Sequence, residues 1–158
     1  MPLIGKFNVE NLAACVAMSS ALGCEISLLH NAIENSVQGA PGRMQRLPLL
    51  NGDAVAIVDY AHTPDALEKA LLACRELRDM SAPQGRIICV FGCGGNRDKT
   101  KRPQMGAIAS RLADLPVLTS DNPRFEDPLA ILDDILAGIP KEKFSDTTVL
   151  ADRREAIR

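Results

Sequence analysis

Residues 86–91 read RIICVF and run straight into residues 92–102, GCGGNRDKTKR. A short apolar run that gives way to a glycine-rich, basic segment reads as a strand feeding a turn. Three similar runs lie along the chain: residues 54–59 (AVAIVD), 115–119 (LPVLT) and 147–150 (TTVL). They recur about every 30 residues, the length of a strand–helix–strand unit. The segment after Thr63 carries clear helix signals: Thr63 as N-cap, Pro64 at the first position, Asp65 and Glu68 in the first turn, Arg75 and Arg78 near the end. Leu67, Leu71, Leu72 and Cys74 form its expected buried side. Further helices are expected over about residues 103–113 and 128–137, and the closing DRREAIR opens another. Apolar strands alternating with helices predict an α/β fold whose parallel sheet is covered on both faces.

Residues 1–41 have a different character, with Lys6, Glu10, Glu25 and Glu34 as their charged residues. Small and apolar residues dominate from Val9 to Leu22, and Gly23 is placed to cap a helix there. A second helix is expected from about Ser27 to Val37, with Ser27 as its N-cap. Gly39, Pro41 and Gly42 then break the pattern, which makes a helical pair followed by a linker.

Composition narrows the function classes. The chain has 158 residues, 46% hydrophobic, 24% charged and 3% aromatic. That excludes a disordered chain, and no apolar run approaches the ~18–20 residues of a membrane span. No secretory signal is expected at the start. A net charge of −2, four Phe, one Tyr and no Trp argue against nucleic-acid binding. The five cysteines (15, 24, 74, 89, 93) are an odd number without framework spacing, and three of them sit in apolar stretches as small core residues. Cys89 and Cys93 have no nearby Cys or His to complete a tetrahedral site, so no metal ligands are expected. A reducing cytoplasm is the expected compartment.

In open α/β sheets ligands bind beyond the carboxyl ends of the strands. Residues 60–65 (YAHTPD), 92–102 and 120–127 (SDNPRFED) leave those ends. Residues 86–111 hold six bases and one acid, a positive stretch suited to an anionic ligand, while residues 114–146 hold eight acids and three bases. The glycine segment is not a P-loop, because Cys93 and Asp98 stand where its two glycines belong. It is not a dinucleotide loop either, because Arg97 replaces the third glycine. Gly92, Gly94 and Gly95 still allow a sharp turn and close backbone approach, and Arg97 offers a planar fork to a carboxylate or phosphate. Asp121, Asn122, Pro123 and Arg124 form a stiff loop whose polar groups suit a zwitterion. Asp59 can meet a ribose hydroxyl, His62 a phosphate or ribose, and Arg43 a nucleotide between domains. Plain alternatives are a solvated basic turn for Arg97, a helix-capping turn for 121–124, and simple strand-end and turn roles for Asp59 and His62. His30, on an apolar helix, is given no function.

Five segments in order, GKFNVENLAA (5–14), PGRM (41–44), VDYAHTPDAL (58–67), FGCGG through KRP (91–103) and TSDNPR (119–124), resemble one family, the Mur ligases of peptidoglycan synthesis. Within it they are most similar to the members that add meso-diaminopimelate to UDP-N-acetylmuramoyl-L-alanyl-D-glutamate. The resemblance implies residues 1–41 as the helical tail of a central ATPase domain. It implies residues 42–158 as a Rossmann-like C-terminal domain, truncated at its end, with a mostly parallel sheet and helices on both faces. In such ligases ATP phosphorylates the D-glutamate carboxylate, Mg2+ screens the charge, and the incoming amine attacks the acyl phosphate to form an amide. Arg97, Asp121, Asn122, Pro123 and Arg124 then resemble the diaminopimelate pocket, and Asn11, Arg43, Asp59 and His62 the ATP side. No catalytic residue and no metal ligand is implied within these 158 residues. The UDP-N-acetylmuramoyl-dipeptide would be held by domains outside them, and neither nucleic acid nor membrane is an expected partner.

Three positions depart from the family pattern: Gln45 for the usual Glu, Asn96 for Asp and Thr100 for Gly. They leave the glycine-rich loop free to take another shape. The family's P-loop, central-domain lysine and later Gly-Lys-Gly-His-Glu segment are not in these residues, so no ligase activity is expected of this polypeptide alone. A stand-alone, non-catalytic amino-acid-binding module, a lysine-adding homologue and a folylpolyglutamate synthetase are the alternatives. The Asp121–Arg124 segment argues against the last two.

Overall fold

The chain is seen in a computed structural model that describes residues 3–35, 39–47 and 54–158. α1 spans Lys6–Ala21. It closes as its sequence predicts: Gly23 adopts φ 87° and the amide of Cys24 donates to Ser19 O at 3.0 Å. α2 spans Ile26–Asn35. Ser27 is not its N-cap. The amides of Leu28 and Leu29 both donate to Glu25 O at 3.1 Å, so the helix begins before Ser27. The Ser27 hydroxyl donates to the Glu25 carboxylate at 3.4 Å instead of accepting from an amide. Val37, the expected end of this helix, lies outside the described residues.

β1 (Gln45–Leu47) and β2 (Ala56–Val58) pair antiparallel, with Arg46 opposite Ile57. This corrects the expectation that residues 54–59 open the parallel sheet. The connection between the two strands is too short for a crossover helix, and a short connection joins strands antiparallel. β1 itself carries no apolar run to announce it. The chain divides into two units, Met1–Tyr60 and Ala61–Arg158.

The second unit holds the strand–helix alternation. α3 spans Pro64–Ser81, and the Thr63 hydroxyl accepts from Ala66 N at 3.3 Å, a cap worth about 1 kcal/mol. Leu67, Ala70, Leu71 and Ala73 are its buried residues and Cys74 is half-buried. Leu72 is 44% exposed, against expectation, because it lies 100° around the helix from Leu71. Then follow β3 (Ile88–Phe91), α4 (Lys101–Leu112), β4 (Leu115–Leu118), α5 (Pro128–Leu136), a 3-10 turn (Lys141–Asp146), β5 (Thr148–Val149) and α6 (Arg153–Ile157). β3, β4 and β5 form a parallel sheet in that order, with Phe91 beside Leu118 and Leu118 beside Val149.

Two crossovers in the same direction place α4 and α5 on the same face, because such connections are right-handed. Leu67 and Leu71 of α3, Met105 and Ala109 of α4, and Ile131, Leu132 and Ile135 of α5 form one cluster with Cys89, Phe91 and Leu118. Burying each Leu or Ile of that size contributes roughly 1.5–3 kcal/mol. The α/β class and the parallel, helix-covered sheet agree with the sequence on this face. On the opposite face of β3, Ile88 is 57% exposed. Asp127 caps α5 by accepting from Leu129 N at 3.0 Å, and Asp152 caps α6 by accepting from Glu155 N at 3.0 Å. No described helix is long and apolar enough to cross a membrane.

Candidate functional site

Parallel strands bring their carboxyl ends to one edge, so the segments leaving β3 and β4 meet there. Thr119 N donates to Phe91 O at 2.9 Å, and beyond it Gly95 N donates to Asn122 O at 2.8 Å. A Cβ on Gly95 would stand inside the van der Waals radius of the Pro123 carbonyl oxygen, so only glycine admits this approach. Arg124 Nη1 donates back to Gly95 O at 2.8 Å and to Asn122 O at 3.4 Å. Asn122 Oδ1 accepts from Arg124 N at 3.2 Å, and Asn96 Oδ1 accepts from Phe125 N at 3.0 Å. Asn96 and Arg124 both take left-handed backbone, with φ 51° and 52°. Such residues each store on the order of 1–3 kcal/mol and persist where their surroundings over-determine them.

Arg97, Asp121, Asn122, Pro123 and Arg124 therefore all lie on two loops locked edge to edge. Arg97 is exposed and makes no hydrogen bond or ion pair among the described residues. Asp121 has a cation nearby, Arg153 at 3.8 Å, whose Nη1 also donates to Ser120 O at 3.2 Å.

The group that sequence reading missed lies behind these loops. Arg102 is fully buried in the first turn of α4. Its Nη1 donates to Glu126 Oε2 at 3.0 Å and to Asp134 Oδ2 at 2.8 Å; its Nη2 donates to Glu126 Oε1 at 3.0 Å and to Gly94 O at 3.3 Å. Arg102 Nε is buried without a partner among the described residues. Glu126 also accepts from Asn96 N and lies 3.0 Å from Lys99 Nζ. Arg102, then Lys99 and the Asn96 amide, hold the Glu126 carboxyl down at about 2.

These pairings amend the reading of residues 86–111 as an open positive stretch. Lys99 and Arg102 are taken by Glu126, Arg111 pairs with Glu68 at 2.6 Å, and Lys101 Nζ donates to His62 O at 2.8 Å. Glu126 comes from the acidic segment that follows, which folding lays against the basic one. The Thr100 amide and hydroxyl both donate to Asp98 Oδ1, which lowers the Asp98 carboxyl from its usual range.

A family profile described as "Mur ligase, glutamate ligase domain" matches residues 42–158. The chain belongs to the Mur ligase family. It is 54% identical over 99% of its length to the UDP-N-acetylmuramoyl-L-alanyl-D-glutamate–2,6-diaminopimelate ligase of Gloeobacter violaceus. It is 46% identical over its whole length to the same-named ligase of Syntrophomonas wolfei. A solved structure carrying that name matches 99% of the chain at 41% identity with a TM-score of 0.65. The UDP-N-acetylmuramate–alanine ligase of Thermotoga maritima covers 95% at 22% identity with a TM-score of 0.69, a likeness of fold alone. The chain spans about 30% of the length of these relatives.

The resemblance assigns Asn11, Arg43, Asp59 and His62 to an ATP side. In the first unit Asp59 Oδ2 accepts from Met44 N at 2.8 Å, and the Arg43 guanidinium lies 4.8 Å over the Tyr60 ring. Gln45, a departure from the family pattern, accepts from Gly42 N at 2.9 Å. Asp59, just past β2, thus ties down the turn that carries Arg43, whose buried Met44 takes φ 44°. Asn11 is exposed on α1. His62 lies in the second unit. Among the described residues no three His, Cys, Asp or Glu side chains are grouped to hold a metal ion. All five cysteines are free thiols: Cys15 and Cys24 are exposed, and burial pushes Cys89 up to about 12. Burial also raises Cys93, whose Sγ lies 3.7 Å from Met105 Sδ.

Proposed function

We propose that this chain is the amino-acid-receiving part of a cytoplasmic ligase that joins meso-diaminopimelate to UDP-N-acetylmuramoyl-L-alanyl-D-glutamate with ATP and Mg2+. The anchoring of Arg124 carries this reading. Its Nη1 is held by two backbone carbonyls, and Nε and Nη2 make no hydrogen bond among the described residues. That leaves the edge of a planar fork for a carboxylate. Diaminopimelate has a second carboxylate where lysine has none. An Arg here rewards the first and leaves an unpaired cation beside the second. The names of the relatives point to the same amino acid.

On this reading Asn122 and Arg97 hold the other end of the amino acid, with Asp121 near its ammonium. Residues 42–158 form the C-terminal domain and residues 1–41 the helical tail of the ATPase domain; the family match beginning at residue 42 supports that division. Arg43 and Asp59, linked through the Met44 amide, suit the phosphate and ribose of ATP, and the family resemblance adds Asn11 and His62. Bound ATP would supply the phosphoryl group that activates the D-glutamate carboxylate. Its Mg2+ would be held by the nucleotide and by domains outside these residues.

Calorimetric titration of the chain with meso-diaminopimelate, with L-lysine as the control, tests the proposal. The expected result is saturable diaminopimelate binding, at least about tenfold tighter than lysine and lost in Arg124→Ala, as for one bidentate charged contact. Equal binding of both amino acids, or an unaffected Arg124→Ala chain, overturns it.

A further inference from the structure

The strand ladder fixes only the roots of the two site loops. Past the Thr119 N to Phe91 O bond, the backbone and side-chain contacts of Gly95 with Asn122 and Arg124 and of Asn96 with Phe125 join the loops. The remaining cross-loop contacts end on the Glu126 carboxylate, which the buried Arg102 guanidinium grips. Arg102 reaches Gly94 O on the first loop, Glu126 on the second and Asp134 on α5. Glu126 returns to the first loop through the amide of Asn96 and through Lys99. Arg97 follows Asn96 directly, and Arg124 precedes Glu126 by two residues. The two arginines read above as ligand contacts therefore flank the same clamp, one on each loop.

We propose that Arg102 and Glu126 are positioning residues that set the offset between the loop carrying Arg97 and the loop carrying Arg124. The amino-acid consequence rests on the preceding reading of the site; the offset itself does not. A fully buried fork on one carboxylate is geometrically demanding, and removing the Glu126 charge leaves the buried Arg102 with Asp134 as its remaining carboxylate partner among the described residues. The left-handed residues Asn96 and Arg124 lie inside the clamped segments, where this pairing helps to over-determine them. An amino acid with carboxylates at both ends must meet two arginines at a fixed separation. One with a single carboxylate senses only one of them. Losing the offset should therefore erode selectivity and not merely affinity, because sites need their groups held to within about 0.5 Å.

The test uses Glu126→Gln, which keeps the shape and the acceptor for Asn96 N but removes the charge pair. Amide exchange is read at Gly95 and Phe125, which bond across the loops, against Leu150, which bonds to Leu118 O in the sheet. The expected result is at least about tenfold faster exchange at Gly95 and Phe125 relative to Leu150, the loss of one local opening barrier of ordinary hydrogen-bond size. A change that weakens the whole fold moves all three amides together, and that outcome, or no change, overturns the proposal. Glu126→Asp, which keeps the charge and shortens the reach, replaces Glu126→Gln should the latter not fold, with the same expectation. In the calorimetric arm the ratio of meso-diaminopimelate to L-lysine affinity should fall about tenfold in the variant. A parent chain that binds neither amino acid defeats the reading of the site and leaves the exchange result to decide the positioning.

Discussion

Gly95 and Arg124 show how much of the site hangs on single residues. Gly95 donates to Asn122 O and receives Arg124 Nη1 on its own carbonyl, so its backbone is bonded on both sides to the second loop. A methyl group there collides with the Pro123 carbonyl, backbone that cannot rotate away. Gly95→Ala is expected to destabilise the chain by about 1–3 kcal/mol, the usual cost of overpacking. It should also abolish diaminopimelate binding. Urea unfolding with an unchanged midpoint would remove that account. The glycine loop and the Asp121–Arg124 loop were legible in the sequence, because Gly, Pro and Asn punctuate chains by local backbone rules. Arg102 and Glu126 were not. They are 24 residues apart, and nothing in a run of charges says which one folding will bury.

Among the elements, the helix after Thr63 began where its cap was read, because capping is a contact between residues two or three apart. Asp127 and Asp152, not singled out in the sequence, cap α5 and α6 by the same short-range contact. Ser27 failed as a cap because the neighbouring Glu25 carbonyl already started the helix. Glu126 joins the two loops to α4 through Arg102, which also reaches Asp134 on α5, and this gives the fold an acid dependence of known sign. Its carboxyl falls from the ordinary 4.5 to about 2 in the folded chain. Between those values the unfolded chain binds a proton that the folded chain does not, so stability falls as pH drops through that window. The pair's full contribution is present above pH 4.5. Denaturant midpoints at pH 6, 4 and 2.5 should decline in the parent and decline less steeply in Glu126→Gln. Parallel declines would show that Glu126 titrates alike in both states.

For the whole molecule, the family assignment bounds the chemistry. These 158 residues contain no P-loop, since Gly92–Thr100 lacks both its glycines. They cover about 30% of the ligases they resemble. A polypeptide of these residues, given ATP, UDP-N-acetylmuramoyl-L-alanyl-D-glutamate and meso-diaminopimelate, should release no phosphate above a heat-killed control. A coupled phosphate assay that shows turnover would falsify this. Order along the chain carried the family and the α/β alternation: apolar runs, caps and five motifs in sequence need no knowledge of what lies opposite them. Pairing and burial needed the folded chain. Residues 54–59 looked like a first parallel strand and paired antiparallel with an unannounced β1. The basic segment looked open, but Lys99 and Arg102 are paired with Glu126, Arg111 with Glu68, and Lys101 donates to the His62 carbonyl. The physical reason is common to both. Backbone pairing and desolvation of charge depend on residues brought together from distant positions, and local periodicity carries no record of that distance.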